Sequence, residues 1–431
     1  MSLRETNFWL ETVAAPRIEP RPITETSDVA IIGAGFTGLS AARTLAKKGA
    51  RVVVLEAHNL GWGASCRNGG MVLTGLKLGI PKLVSRYGKE TTRRMYEASL
   101  DSIDCVEQIV REEGIDCNFS RCGHLEVACK PKHFEEFQRG ADMLARDFDR
   151  RVHIVNKKDL QNEIGSEIYQ GGLVDEFSGG LNPARYVMGL GCAAIRAGAE
   201  IHENTRVEKL ERGSQQGTAG WTITTSRGKL LAKDVFVATS GYTSGATNAL
   251  QKKIIPIGSF IIVTEVLPDV LANELSPRNR MIFDSKNYLY YYRLTPDRRM
   301  LFGGRAAFFP ENENTIRQSA EILRRGMIEV YPQLRDTKVE FVWGGTLDFA
   351  FDIMPHAGTL DGMHFSLGYA GHGVAMATYL GATMAESILT GRKENPFSEI
   401  PFSGAPLGMY NGKPWFLPFA GAWYKFLDWV S

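Results

Sequence analysis

Asp28 to Ala57 reads DVAIIGAGFTGLSAARTLAKKGARVVVLEA, and no other stretch restricts the fold as much. Val29 to Ile32 is an apolar run of the length a buried parallel strand needs, because such a strand is covered on both faces. Gly33, Gly35 and Gly38 follow at G-x-G-x-x-G spacing. The first glycine permits a tight turn, the second lets a pyrophosphate approach the backbone, and the third lets a helix pack close to the strand. Phe36 and Thr37 open that helix, Ser40 to Lys48 continues it at helical period, and Gly49 stops it. Arg51 to Leu55 is a second apolar strand, closed by Glu56 and Ala57, where a carboxylate can accept hydrogen bonds from a ribose diol. Strand, turn, helix, second strand and terminal acid together predict a dinucleotide site in an α/β fold. A glycine turn that serves packing alone leaves Glu56 unexplained.

The rest of the chain is long enough for a second domain, at 431 residues in all. A net charge of +2 gives no support to nucleic-acid binding by bulk electrostatics. Cys66, Cys105, Cys117, Cys122, Cys129 and Cys192 include no C-x-x-C pair, so no metal site is expected. Their ordinary reading is reduced thiols in a cytoplasmic protein. The opening MSLRETNFWLET lacks the charged start and apolar run of a secretion signal, and no uninterrupted apolar segment reaches spanning length.

Changes of texture predict the organisation. Residues 1–26 form an N-terminal arm carrying Pro16, Pro20 and Pro22. Residues 27–85, 150–245 and 345–395 make a discontinuous, Rossmann-like domain, to which the chain returns late with strand, glycine turn and small-residue helix. Helical spacing over Glu90–Glu113 and Lys132–Asp149, and the β-rich, aromatic run from Lys253, assign 86–149 and 246–344 to a mixed-sheet substrate domain. Residues 396–431 form an aromatic tail.

Several further motifs carry chemistry: GWGASCRNGGM after Glu56, NPARYVMGLGCAA, VFVATSGYT, IIPIGSFIIVTE, YYYRLTPDRRMLFGG and GYAGHGVAMATYLGATMAE. In this order, with IIGAGFTGLSAA and VVVLEA, they resemble the flavoprotein amine and amino-acid oxidoreductases of the D-amino-acid oxidase type. That group includes glycine oxidase and monomeric sarcosine oxidase, and the likeness is greatest to the γ-glutamylputrescine oxidase branch. The resemblance covers nearly the whole chain and implies FAD as the dinucleotide. A flavin ring requires more backbone-lined surface than the fingerprint provides. The loop with Gly63, Ala64, Ser65, Arg67, Asn68, Gly69 and Gly70 provides one such surface, its small residues permitting close approach. Arg67 is expected to pair with the pyrophosphate or face the flavin. The turn Gly371-His372-Gly373, followed by Val374 and a helix, provides another, with N–H groups and a positive dipole end where negative charge accumulates on reduction. By the same resemblance His372 lies beside the ring, Thr239, Ser240 and Gly241 contact the nucleotide half, and Val207 contacts the adenine. Sarcosine-type enzymes attach flavin to a cysteine just before the late turn. TLDFAFDIMPHAG has none, which implies non-covalent FAD.

On the substrate side, sarcosine-type enzymes carry a carboxylate-binding lysine two residues after the late turn, where this chain has Ala375. The departure argues for a longer amine. Strand alternation puts Tyr288, Tyr290 and Tyr292 on one face and Tyr291 and Arg293 on the other. Tyrosines facing a flavin suit a cationic or amphipathic amine, so Tyr290, Tyr292 and Arg293 join His372 as expected catalytic-site residues; packing of a sheet core is the competing reading. Arg305 is a further expected carboxylate partner, and Trp343 either roofs the pocket or belongs to the core. The reaction implied is oxidation of an amine C–N bond by hydride transfer to flavin, with oxygen or another electron acceptor reoxidising it. An NAD-dependent dehydrogenase and a non-catalytic flavin-binding module are the rival readings. The tail places Phe419, Ala422, Trp423, Phe426, Leu427 and Val430 on one helical stripe, for packing on the protein's own body, self-association or a membrane surface.

Overall fold

The computed structural model describes residues 3–215, 218–304, 313–392, 395–405, 408–417, 419 and 421. The fingerprint strand Thr26–Ile32 lies mid-sheet, between Gly228–Val237 and Val52–Leu55. Met363–Leu367 and Glu200–His202 extend this row outward, and all five strands run parallel. The strand His356–Leu360 closes one edge antiparallel, and the hairpin Val207–Gln215 with Thr218–Thr225 joins Gly228–Val237. Burial explains the absence of alternation in the apolar runs. Ile31, Val54 and Phe236 enter one hydrophobic cluster, while Ala30, Val53 and Val235 enter another on the opposite face. The helices Phe36–Lys47, Pro183–Arg196 and Gly373–Thr390 cover the first of these faces and the hairpin covers the other, and the nucleotide domain is discontinuous.

The second sheet has eight strands in the order Val339–Ala350, Ile254–Val266, Arg299–Gly304, Tyr290–Leu294, Met281–Asp284, His124–Val127, Gly171–Asp175 and His153–Asn156. Only the pairing of Met281–Asp284 with His124–Val127 is parallel. One face is covered by the helix Glu313–Val330, whose Leu323 and Met327 pack with Ile262, Tyr292 and Phe302. This pairing moves two boundaries read from sequence. His153–Asn156 and Gly171–Asp175 were expected in the nucleotide domain but hydrogen-bond to the second sheet, and residue 345 falls inside Val339–Ala350. A strand's partner is chosen by long-range pairing, which local texture does not encode.

The N-terminal arm is more than a leader. Phe8 and Trp9 are buried in the main core, Trp9 Nε1 donates to the Asn68 carbonyl at 2.9 Å, and Asn7 Nδ2 donates to the Cys66 carbonyl at 2.8 Å. Arg4 N donates to the Glu340 carbonyl at 2.8 Å. The arm therefore ties the loop after Glu56 to the second sheet. At the other end, Leu417 is buried and Tyr410 Oη donates to the Ile254 carbonyl at 2.9 Å, so the tail residues 408–417 pack on the second sheet. The expected helical stripe at Ala422, Trp423, Phe426, Leu427 and Val430 lies outside the described residues, as does Arg305. Among the described residues no helix is long and apolar enough to cross a membrane.

Candidate functional site

Three helices point their N-termini at one cavity of ≈ 390 Å³. They are Phe36–Lys47, the short Ala64–Arg67 and Gly373–Thr390, with Gly35, Gly63 and His372 at the N-caps and no side-chain cap on any of them. An uncapped N-terminus leaves backbone N–H groups unsatisfied and carries positive dipole charge, which is an anion site built from backbone. One such donor is already engaged: Phe36 N donates to Ser65 Oγ at 2.9 Å. The first and third helices start more than 300 residues apart in sequence yet lie side by side, because a Cβ at Gly381 would stand 2.3 Å from the Thr37 carbonyl oxygen. Ser40 Oγ donates to the Thr378 carbonyl at 2.7 Å and Thr37 Oγ1 pairs with Tyr369 Oη at 2.7 Å, fastening the two. Gly33 has φ +104° and Gly38 presses on its carbonyl, where a Cβ would sit 2.0 Å away. These two glycines set the turn's shape.

Glu56 closes the second strand as expected. One carboxylate oxygen accepts from Ala34 N at 2.8 Å and the other from His58 N at 2.9 Å. Each oxygen keeps further lone pairs toward the cavity. Gly33, Gly35, Phe36, Thr37, Glu56, Ala57, Gly63, Ala64, Ser65, Asn68, Val207, Thr239, Ser240, Gly371, Gly373 and Val374 all line it. The sequence-predicted Gly38, Arg67, Gly69, Gly70 and Gly241 do not. Gly38 and Gly241 are packing positions, the latter against the Leu347 carbonyl. Gly69 and Gly70 are pressed against Tyr291 and the Leu181 carbonyl. Arg67 donates from Nε to the Trp62 carbonyl at 2.7 Å and from Nη1 to the Gly344 carbonyl at 2.9 Å, so it braces the loop against the second sheet.

A second cavity of ≈ 830 Å³ lies against the second sheet, between it, the helices Ile80–Glu113 and Pro131–Phe148, and the late turn. Its walls are apolar and aromatic at Ile255, Ile257, Phe283, Phe349 and Phe351, and polar at Lys77, His124, Glu126 and Asp175. Phe416 and Leu417 of the tail complete them. The late turn stands between the two spaces: Gly371 and Gly373 line the first, His372 the second. Burial, helped by the charges of Lys77 and His124, pushes the His372 imidazole down to about 3 and keeps it neutral. Its Nδ1 is buried with no hydrogen-bond partner among the described residues.

The family profile described as FAD dependent oxidoreductase matches residues 28–387. The chain belongs to that family. Over 407 residues the flavoprotein is 30% identical to γ-glutamylputrescine oxidoreductase of Escherichia coli K12, covering 94% of this chain and 93% of that protein. It is 32% identical to the probable oxidoreductase OrdL of Haemophilus influenzae, covering 85% of this chain and 83% of the other. Glycine oxidase from Geobacillus kaustophilus has the same fold, with a TM-score of 0.73 at 20% identity over 89% of this chain and 99% of that one. FAD is therefore the dinucleotide of this oxidoreductase, and the donor set fits it: uncapped backbone N–H groups for a pyrophosphate, the lone pairs of Glu56 for a diol, and the orphaned Nδ1 of His372.

On the substrate side the flavoprotein departs from the sequence reading. Tyr290, Tyr292 and Arg293, expected to face the substrate, line neither cavity. Alternation holds, but the faces serve packing. Tyr292 is 0% exposed, stacks on Phe302 at 5.2 Å and donates to Tyr169 Oη at 2.8 Å. Tyr290 packs on Phe302 under the Lys286 ammonium. Arg293 turns the other way, donating to the carbonyls of Gly70 at 3.2 Å and Leu181 at 3.0 Å. Burial pushes its guanidinium down to about 10. It is a clamp between the loop and the second sheet. Trp343 is core, with Nε1 donating to the Arg67 carbonyl at 3.2 Å. Tyr288, just before the strand, packs with Ile255, Ile257 and Phe349 of the second cavity's wall. Sequence reasoning missed His58, Trp62, Arg206, Tyr242, Asp348 and Tyr369 in the first cavity. Trp62 sits inside the glycine loop and was legible there. Asp348 was not: it is a buried carboxylate whose Oδ2 accepts from Gly368 N at 2.7 Å, which holds the late turn in place.

Proposed function

We propose that this flavoprotein oxidises a C–N bond of a primary or secondary amine, with the amine in the second cavity and oxygen as electron acceptor. The observation that carries the reading is the late turn, which separates the two cavities by three residues and presents one face to each. Bound FAD supplies a two-electron acceptor for hydride from the carbon next to nitrogen. The chain's own residues bind and orient. Backbone N–H groups at Gly35, Thr37 and Gly63–Ser65 would hold the pyrophosphate, and Glu56 the ribose. The N-terminal end of Gly373–Thr390 places positive dipole charge where negative charge accumulates on reduction. A neutral His372 offers a hydrogen bond without bringing a positive charge. The apolar wall at Ile255, Ile257 and Phe349 excludes water, which favours an uncharged amine at the reacting end. The relationship to γ-glutamylputrescine oxidoreductase supports an amine carried on a chain of methylenes. FAD is held without a covalent bond, a reading supported by the absence of cysteine from the described cavity lining.

Anaerobic mixing of the yellow protein with a panel of amines tests this. Bleaching of the flavin by long primary amines, and slow or no bleaching by sarcosine and glycine, is the expected result; an oxidised flavin with every amine rejects it. Acid precipitation releases all the yellow colour if the cofactor is non-covalent.

A further inference from the structure

The carboxyls around the second cavity are not equivalent. Asp175 is satisfied: Oδ1 accepts from Phe177 N at 2.8 Å and Oδ2 from Thr74 Oγ1 at 2.7 Å. Asp284 Oδ1 accepts from Lys286 N at 3.2 Å and Tyr290 N at 3.1 Å, and its Oδ2, which has no hydrogen bond among the described residues, lies 3.6 Å from Lys286 Nζ, at a strand end that is 1% exposed. Both serve the fold. Glu126 accepts no hydrogen bond and joins no ion pair among the described residues. It lies on His124–Val127, in register with Phe283 of the parallel neighbour and Leu173 of the antiparallel one. Leu125 and Val127 point into the core of the second sheet and are 0% exposed, so alternation leaves Glu126 on the cavity face with His124.

A carboxylate in an apolar, aromatic wall costs free energy unless something positive completes it. Burial pushes its carboxyl up to about 7; the Lys77 charge pulls it down, and Asp284 opposes that pull. A group kept at that cost, with no hydrogen bond or ion pair among the described residues and only the Lys77 charge acting in its favour, is matched by a ligand that brings charge and donors. His372 feels the charge of His124 across the cavity. Glu126 lies two residues along the same strand face, about 7 Å further on. It stands on a different element from the late turn beside which the oxidation is proposed to occur.

We infer that Glu126 is a specificity-determining residue that binds an ammonium group of the substrate distant from the C–N bond being oxidised. The favoured substrate is then a chain of methylenes with an amine at the reacting end and a second cation at the far end, the methylenes lying along Phe283, Phe349 and Ile257. No covalent step is involved: the carboxylate and the ammonium form a charged hydrogen-bonded pair. The inference rests on the proposed amine oxidation for the direction in which the substrate lies, but not for the pairing.

The test uses holoenzyme and two probes of equal length, 1,6-diaminohexane and 6-amino-1-hexanol, followed by anaerobic flavin reduction and by titration of the flavin spectrum. Wild type should bind the diamine about tenfold more tightly than the amino alcohol, as expected for one charged hydrogen bond. Glu126→Gln should bring that ratio to about one while the limiting reduction rate changes less than about twofold, and Glu126→Asp should recover part of the preference. A wild-type ratio near one, or a Glu126→Gln ratio equal to wild type, overturns the inference even where both amines bleach the flavin. If neither amine bleaches it, the proposed oxidation fails, and the spectral titration still decides on Glu126. Should Glu126→Gln lose its flavin, the wild-type and Glu126→Asp ratios decide instead, and a wild-type ratio near one still overturns the inference.

Discussion

The two cavities of this flavoprotein are made by different means. The first is shaped by backbone: uncapped helix N-termini and glycines whose missing Cβ atoms decide how close segments come. The second is shaped by side chains brought from separate places, namely Lys77 after the loop, His124 and Glu126, Phe283, Ile255 and Ile257, Phe349, and Phe416 with Leu417. Backbone sites tolerate almost no added atom, because their neighbours are carbonyls that cannot move aside. Side-chain sites tolerate replacement and change selectivity instead. A cofactor common to a family suits the first construction, and a substrate that varies between members suits the second.

Three substitutions and one truncation break or sharpen that contrast. The largest effect is expected from Gly38→Val, since even a Cβ there would meet the Gly33 carbonyl oxygen at 2.0 Å. The purified variant should lack the flavin absorbance altogether; full flavin content would refute a backbone-built site. Ending the chain after Pro414 comes next, removing Phe416 and the buried Leu417 from the second wall. Flavin content should be unchanged, while KM for the best amine rises about tenfold, in line with losing one or two apolar contacts to substrate. Loss of flavin with unaltered KM would place the tail at the wrong cavity.

The third effect is on stability and has a definite sign. The folded pKa of Glu126 is raised from 4.5 to about 7, so its protonated form is favoured by the fold. Stability therefore falls as pH rises from the unfolded value through about 7, by about 1–2 kcal/mol after allowance for solvent at a partly exposed group. Glu126→Gln removes that cost: its melting temperature should exceed wild type at pH 8 and equal it near pH 4. Equal melting temperatures at pH 8 would show a carboxylate already satisfied. The smallest effect belongs to Tyr292→Phe, which loses the bond to Tyr169 and should cost about 1 kcal/mol in denaturant unfolding. Its kcat/KM should stay within about twofold of wild type; a larger fall would return Tyr292 to the active site.

The contrast also explains what was legible. The fingerprint at Gly33, Gly35 and Gly38, the acid at Glu56 and the turn at Gly371–Gly373 lie within a few residues of the structure they make, so their spacing reports their geometry. The tyrosine strand was read with the right alternation and the wrong outlook. Period two shows that Tyr290 and Tyr292 share a face, but not whether the helix Glu313–Val330 or a cavity lies over it. Glu126 carried no signal at all, being one acid in a short β segment.

Sequence by itself determined the Rossmann-like domain, its dinucleotide fingerprint and most of the residues that line the first cavity, because glycine conformation and buried-strand hydrophobicity act locally; FAD as the dinucleotide followed from the family resemblance. Only the tertiary structure decided that Phe8 and Trp9 lock the loop and that His153–Asn156 and Gly171–Asp175 join the second sheet. It also decided that Arg67 and Arg293 brace carbonyls and that Glu126 faces an open cavity. Those outcomes depend on which distant surface covers each side chain, a choice made by packing the whole chain at once.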